Sequence, residues 1–146
     1  MQQLIDRLKQ ENCSVVIRSR EREQCYYKRG VADLLYLLKN EPEMLDHAQL
    51  ADKVVGKGAA ALMVLGQVSE VYARIISQPA LALLQRAGIA TTFGECVDHI
   101  INRAGTDWCP VEKLCSSVNT AEECLPLIEA FVTRNQQNNQ YFVISN

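Results

Sequence analysis

The chain predicts a mixed α/β domain, a sheet covered on its faces by helices. Three observations lead there. Two β-rich runs, Ser14–Ile17 and Gln24–Tyr27, flank a polar Arg-Ser-Arg-Glu-Arg-Glu turn and read as a hairpin. Apolar, β-branched stretches at Val68–Ile76 and Ile89–Phe93 then alternate with segments of helical periodicity. The helix punctuation is explicit: Ser77-Gln78-Pro79 opens one helix and Thr120-Ala121-Glu122-Glu123 opens another.

Taken in order, Met1–Gln10 carries Leu4, Ile5 and Leu8 at helical spacing and forms a short amphipathic helix. After the hairpin, Gly30 breaks the strand, and Val31, Leu34, Leu35 and Leu38 stripe a second helix that ends near Pro42. From Met44 to Ala61 the alanine-weighted pattern predicts a third helix, its small residues suited to lying close on a sheet. The helix begun by Ser77 buries Ala80, Leu81, Leu83 and Leu84, and Gly88 ends it. Cys96–Ile101 is a short turn or helix, Asn102–Trp108 a loop, and Pro110 begins another helix at Cys109–Leu114. The capping box at Thr120 starts the last helix, which runs to Phe131 or Arg134. Residues 1–134 thus form one domain, and 135–146 a polar linker followed by a tail or edge strand at Tyr141–Asn146. That segment is the expected route to a homo-oligomer.

Composition narrows the function. A length of 146 residues suffices for one genuine core, and 48% apolar with 22% charged residues is ordinary for a globular chain. The net charge of −2 supplies no general attraction to nucleic acid, and Arg18, Arg20 and Arg22 alternate with Glu21 and Glu23. The longest apolar run, Ala59–Leu65, falls far short of the ~20 residues of a membrane span. No basic, then apolar leader opens the chain, so a cytoplasmic protein is expected, with no membrane partner. Its six cysteines are then reduced thiols, with Cys13, Cys25 and Cys124 in the core and Cys109 and Cys115 beside the polar cluster.

That cluster is Asn102 to Glu112, which gathers a guanidinium, a carboxamide, a hydroxyl, a thiol, two carboxylates and the only tryptophan. Three segments together carry a resemblance. They are Asp52-Lys53-Val54-Val55-Gly56-Lys57 with its alanine run, Ser77-Gln78-Pro79-Ala80-Leu81, and Asn102-Arg103 with Gly105-Thr106 and Cys109-Pro110-Val111-Glu112. Over roughly residues 10 to 132 the chain resembles a bacterial and archaeal family of unknown function, placed in the cytidine-deaminase-like fold and lacking zinc. The resemblance implies a three-layer α/β/α sandwich around a five-stranded mixed sheet, and no assigned activity. True deaminases set His-x-Glu or Cys-x-Glu at one helix start and Pro-Cys-x-x-Cys at the next. Here those places read Gly56-Lys57-Gly58 and Pro79-Ala80-Leu81-Ala82-Leu83, so zinc-dependent deamination is excluded and no metal or cofactor is expected.

Candidate residues follow. Lys53 and Lys57, four apart with Asp52 adjoining, share a helix face and hold an anionic ligand with the helix N-terminus, or are a plain surface pair. Gly56-Lys57-Gly58 is no phosphate loop, since Ala51 and Gly58 stand where glycine and a hydroxyl belong. Arg103 offers a planar fork for carboxylate or phosphate, completed by Asn102 and Thr106, unless those two only fix their loop. Cys109 at a helix start is a candidate nucleophile or redox sensor, and Glu112 a candidate base beside it or a simple first-turn acid. Cys96, His99, Cys109 and Cys115 match no common zinc spacing. Tyr26, Tyr27 and Tyr36 read as sheet and core aromatics rather than a base-stacking platform. The favoured function is binding of a small anionic or nucleotide-like molecule. A cysteine-based enzyme or redox sensor and a structural or interaction domain are the alternatives.

Overall fold

The computed structural model describes residues 1–28 and 30–136 in full and the backbone of 137–145. In chain order the elements are α1 (Gln2–Gln10), β1 (Val15–Ser19), β2 (Arg22–Tyr26), α2 (Ala32–Asn40), a 3-10 turn (Pro42–Met44), β3 (Gln49–Val55) and α3 (Lys57–Leu65). There follow β4 (Glu70–Ser77), α4 (Gln78–Arg86), β5 (Ala90–Val97), α5 (Pro110–Cys115) and α6 (Ala121–Ser145). The five strands make one mixed sheet in the order β2-β1-β3-β4-β5. β1 is antiparallel to both its neighbours, whereas β3, β4 and β5 are parallel.

The hairpin and both expected caps are present. Ser77 Oγ accepts from the amide of Ala80 at 3.3 Å, and Thr120 Oγ1 accepts from Glu123 N at 3.2 Å while Glu123 returns the bond to Thr120 N. Gly88, with φ of +76°, closes α4 in the left-handed conformation that glycine adopts without strain.

Two expectations fail. The helix expected over Met44–Ala61 is instead a turn, the central strand β3 and a helix that starts only at Lys57. His47, at φ of 58°, donates its amide to the Gln67 carbonyl at 2.8 Å and swings the chain into the sheet. Leu50, Ala51 and Asp52 are buried in succession because a central strand is covered on both faces, which erases the alternation that marks a strand. At the other end, α6 continues to Ser145 where a linker and edge strand were expected, with no glycine or proline after Pro126 to stop it. The side chains that would make Tyr141–Asn146 a self-association segment lie outside the described residues.

Packing is lopsided. On one face, Val15, Ile17, Leu50, Val71 and Ala73 form the main core with residues of α2 to α6, among them Leu34, Leu62, Met63, Leu84, Val111 and Ile128. On the other, Leu4 and Leu8 of α1 pack alone with Cys13, Val16 and Ala51. Burying a leucine of this kind contributes about 1.5–3 kcal/mol, so the main face supplies most of the stability. Tyr26 packs on the core, but Tyr27 is exposed, contrary to its reading as a sheet or core aromatic; Tyr36 is exposed on α2, as its place on the helix's water side leads one to expect. Among the described residues no helix is long and apolar enough to cross a membrane.

Helix packs tightly on helix at Gly58 in the first turn of α3, where an added Cβ would lie 2.3 Å from Val111 Cγ1 of α5. Gly58→Ala therefore lowers stability by about 1–3 kcal/mol despite alanine's better helix propensity, as urea titration will read. An unchanged or raised midpoint would show that α5 yields freely.

Candidate functional site

β3 and β4 each run straight into a helix, β3 through Gly56 alone and β4 with no intervening residue, so the N-termini of α3 and α4 lie side by side. Helix N-termini leave amides unsatisfied and carry positive partial charge. One side chain answers both. Glu112, in the first turn of α5 and only 2% exposed, accepts from Lys57 N through Oε1 at 3.0 Å and from Ile100 N through Oε2 at 2.8 Å. Oε1 also accepts from the Ser77 hydroxyl at 3.2 Å, the same hydroxyl that caps α4. A single carboxylate thus ties together α3, α4, α5 and the segment that precedes the Asn102 loop. The sequence marks Glu112 as a first-turn acid; it does not mark the two foreign helices it serves.

This arrangement revises the lysine pair. Lys53 lies on β3 and Lys57 on α3, so no helix face joins them. Lys57 is 8% exposed and turns its Nζ to the Val118 carbonyl, which leaves it a structural cation between α3 and the start of α6. The α3 N-terminus expected to receive an external anion already holds the Glu112 carboxylate.

Beside that hub lies a cavity of about 1030 Å³, bounded by β3, the segment after β2, the Asn102 loop and α6. Asp52, Lys53, Asn102, Arg103, Cys109 and Glu112 line it, as does Lys28, which sequence reasoning passed over because nothing local distinguishes it from a surface lysine. Lys57 and Thr106 do not line it. Arg103 is exposed and forms no ion pair among the described residues. Lys53 Nζ donates to Asn12 Oδ1 at the rim.

Asp52 is the unusual member. It is 8% exposed, pairs with Val15 across the sheet and therefore faces the helix side. Its Oδ1 accepts from Val54 N at 3.2 Å, and its other support is the Lys53 amide; among the described residues no cationic side chain pairs with it. Burial consequently pushes its pKa up to about 7. Perturbed carboxyls in cavities are functional-site candidates on physical grounds.

Asn102 and Thr106 mainly fix their loop. Asn102 Oδ1 accepts from Thr106 N at 3.0 Å and its Nδ2 donates to Thr106 Oγ1 at 3.2 Å. Trp108 stacks on His99 at 3.6 Å between ring centres, and Lys113 pairs with Asp107 at 2.8 Å. Cys109 precedes α5 and is half-buried at the cavity wall, with no hydrogen bond from its Sγ among the described residues. Cys115, expected beside the polar cluster, is wholly buried in the main core against Cys124. Among the described residues no three His, Cys, Asp or Glu side chains are grouped to hold a metal ion.

A mixed sheet whose two parallel βα units are locked at their helix starts by one carboxylate defines the class of domain. Residues 3–132 match the family described as TM1506, Domain of unknown function (DUF1893). The chain belongs to the DUF1893 family. Its structure is similar to the crystal structure of a DUF1893 family protein, TM1506 from Thermotoga maritima, with a TM-score of 0.80 at 24% identity. The likeness covers 88% of this chain and 87% of that one, and at this identity it speaks for the fold alone. No curated protein matches the chain.

Proposed function

We propose that the chain binds a small anionic or nucleotide-like molecule in the cavity beside Asp52. The observation that carries this reading is the lining itself. Arg103, Lys28 and Lys53 bring three cations to a hollow of about 1030 Å³, and Arg103 has no protein anion to neutralise it among the described residues. That volume suits a metabolite-sized ligand. Arg103 is the natural partner of a phosphate or carboxylate, and Asp52, poised near neutrality, takes a hydrogen-bond donor or offers one. In this reading the architecture is a cytidine-deaminase-like three-layer sandwich in which the Glu112 carboxylate fills the helix-start position that metal takes in hydrolytic relatives. No metal is then required for binding, and the protein works in the cytoplasm.

Thermal shift and calorimetry with orthophosphate, ribose 5-phosphate and cytidine 5′-monophosphate test it. A ligand at a hundredfold excess over its Kd stabilises by about 2.7 kcal/mol, a Tm rise of roughly 5–10 °C for a chain of this size. Lys53→Ala with Arg103→Ala should erase the rise, whereas Lys57→Ala should lower the baseline Tm and leave the rise intact. No shift with any of the three, or a shift that survives the double substitution, rejects the reading.

Cys109 on the same wall supports a second reading, thiol chemistry on a bound molecule. Alkylation confined to Cys109 and blocked by the bound phosphate ester is its expected signature; indifferent labelling of several cysteines removes it.

A further inference from the structure

The two edges of the sheet are built differently. The β2 edge is five residues long and carries Arg22 and Glu23. Glu23 is held by Arg7 at 2.6 Å and Arg18 at 2.7 Å, and Arg22 approaches Glu41 at 3.8 Å. Short length and charge are the usual protection of an edge against strand addition. The β5 edge has neither. It is eight residues, Ala90-Thr91-Thr92-Phe93-Gly94-Glu95-Cys96-Val97, with one charge and no lysine, arginine or proline. Its outer side has no strand neighbour among the described residues, and Phe93 is 41% exposed. A row of unpaired backbone donors and acceptors on a long, nearly neutral strand is a template for another strand.

We infer that β5 pairs antiparallel with β5 of a second copy of this chain, joining two sheets into one across a twofold axis at Phe93. Self-complementarity selects the occupant. Phe93 is in register with the core residue Ala73, so its ring faces the helix side. A twofold axis perpendicular to the sheet keeps that face common to both copies, and pairs only residues of the same face. Centred on Phe93, it sets the two exposed rings against each other, an aromatic pair of the kind that stabilises cross-strand contacts. Thr92 then meets Gly94 of the second copy, where no side chain obstructs it. The one charged residue, Glu95, lies off the axis, so the two copies' Glu95 residues stand about 13 Å apart along the strands. No like charges face each other. The β2 edge lacks this property, because centring it on Gln24 opposes Arg22 to Tyr26 and breaks the Glu23 network.

Sedimentation velocity on the full chain decides. Wild type at about 100 μM should sediment at twice the 16.4 kDa chain mass. Phe93→Lys should raise the dimer Kd at least thirtyfold, roughly the effect of losing a central anchor, with an unchanged circular dichroism spectrum. A second variant reads the pairing without touching the aromatic. Thr92→Lys, at an exposed position, sets two like charges one residue from the axis and loosens the dimer about tenfold, a loss that shrinks in high salt. A monomeric wild type, or a dimer indifferent to both Phe93→Lys and Thr92→Lys, overturns the inference.

Discussion

Glu112→Ala should lower stability by about 3–5 kcal/mol, enough to leave a substantial unfolded population at physiological temperature. The substitution removes the buried acceptor for Lys57 N, Ile100 N and the Ser77 hydroxyl. Each buried donor left without a partner costs about 1–3 kcal/mol, and a small alanine also opens a void beneath α5. Glu112→Gln should fall between, at about 2–3 kcal/mol, because its amide group presents hydrogens to one of the donors it must serve. Urea titration followed by circular dichroism gives both numbers. A loss under 1 kcal/mol for the alanine variant would mean that Glu112 does not organise the helix starts. Because Glu112 also lines the cavity, its loss should abolish ligand-induced stabilisation even in the protein that remains folded.

The legibility of this chain follows from where information is local. The hairpin, the Ser77 and Thr120 caps and the Gly88 stop are each written in a few neighbouring residues, and each is present in the fold. β3 was illegible because Gln49–Val55 is a central strand whose burial on both faces suppresses alternation, while its alanine and lysine suit a helix equally well. The five-stranded mixed sheet that the resemblance implied is present, although reading residue by residue missed β3 and allowed a strand in the tail. Within the site, Arg103, Asn102 and Cys109 follow from the density of chemistry in one loop. The roles of Lys57 and Glu112 do not, since their partners Val118, Ser77 and Ile100 are 61, 35 and 12 residues away. Spacing of four residues implies a shared face only after helicity is granted, and the strand-to-helix break at Gly56 separates Lys53 from Lys57.

Asp52→Asn should stabilise the protein at alkaline pH and do little in acid. Burial holds the folded Asp52 carboxyl at about 7, whereas in the unfolded chain it returns to the ordinary aspartate value near 4. Between those two values the folded state keeps a proton that the unfolded state releases. Stability therefore falls as pH rises from about 4 to 7, and the full penalty stands above 7. A difference of that size corresponds to about 4 kcal/mol at most, and asparagine recovers about 2–4 kcal/mol of it because it carries no charge to desolvate. Urea midpoints for wild type and Asp52→Asn should coincide near pH 4 and diverge steadily to pH 8. Parallel curves across that range would place Asp52 in contact with water and remove the reason to regard it as a tuned group. The sign also bears on function. In the proposed binding reading, the Asp52 carboxyl at the cavity wall is where a ligand's hydrogen-bond donor would meet it. A ligand that does so should narrow the gap between wild type and Asp52→Asn at pH 8.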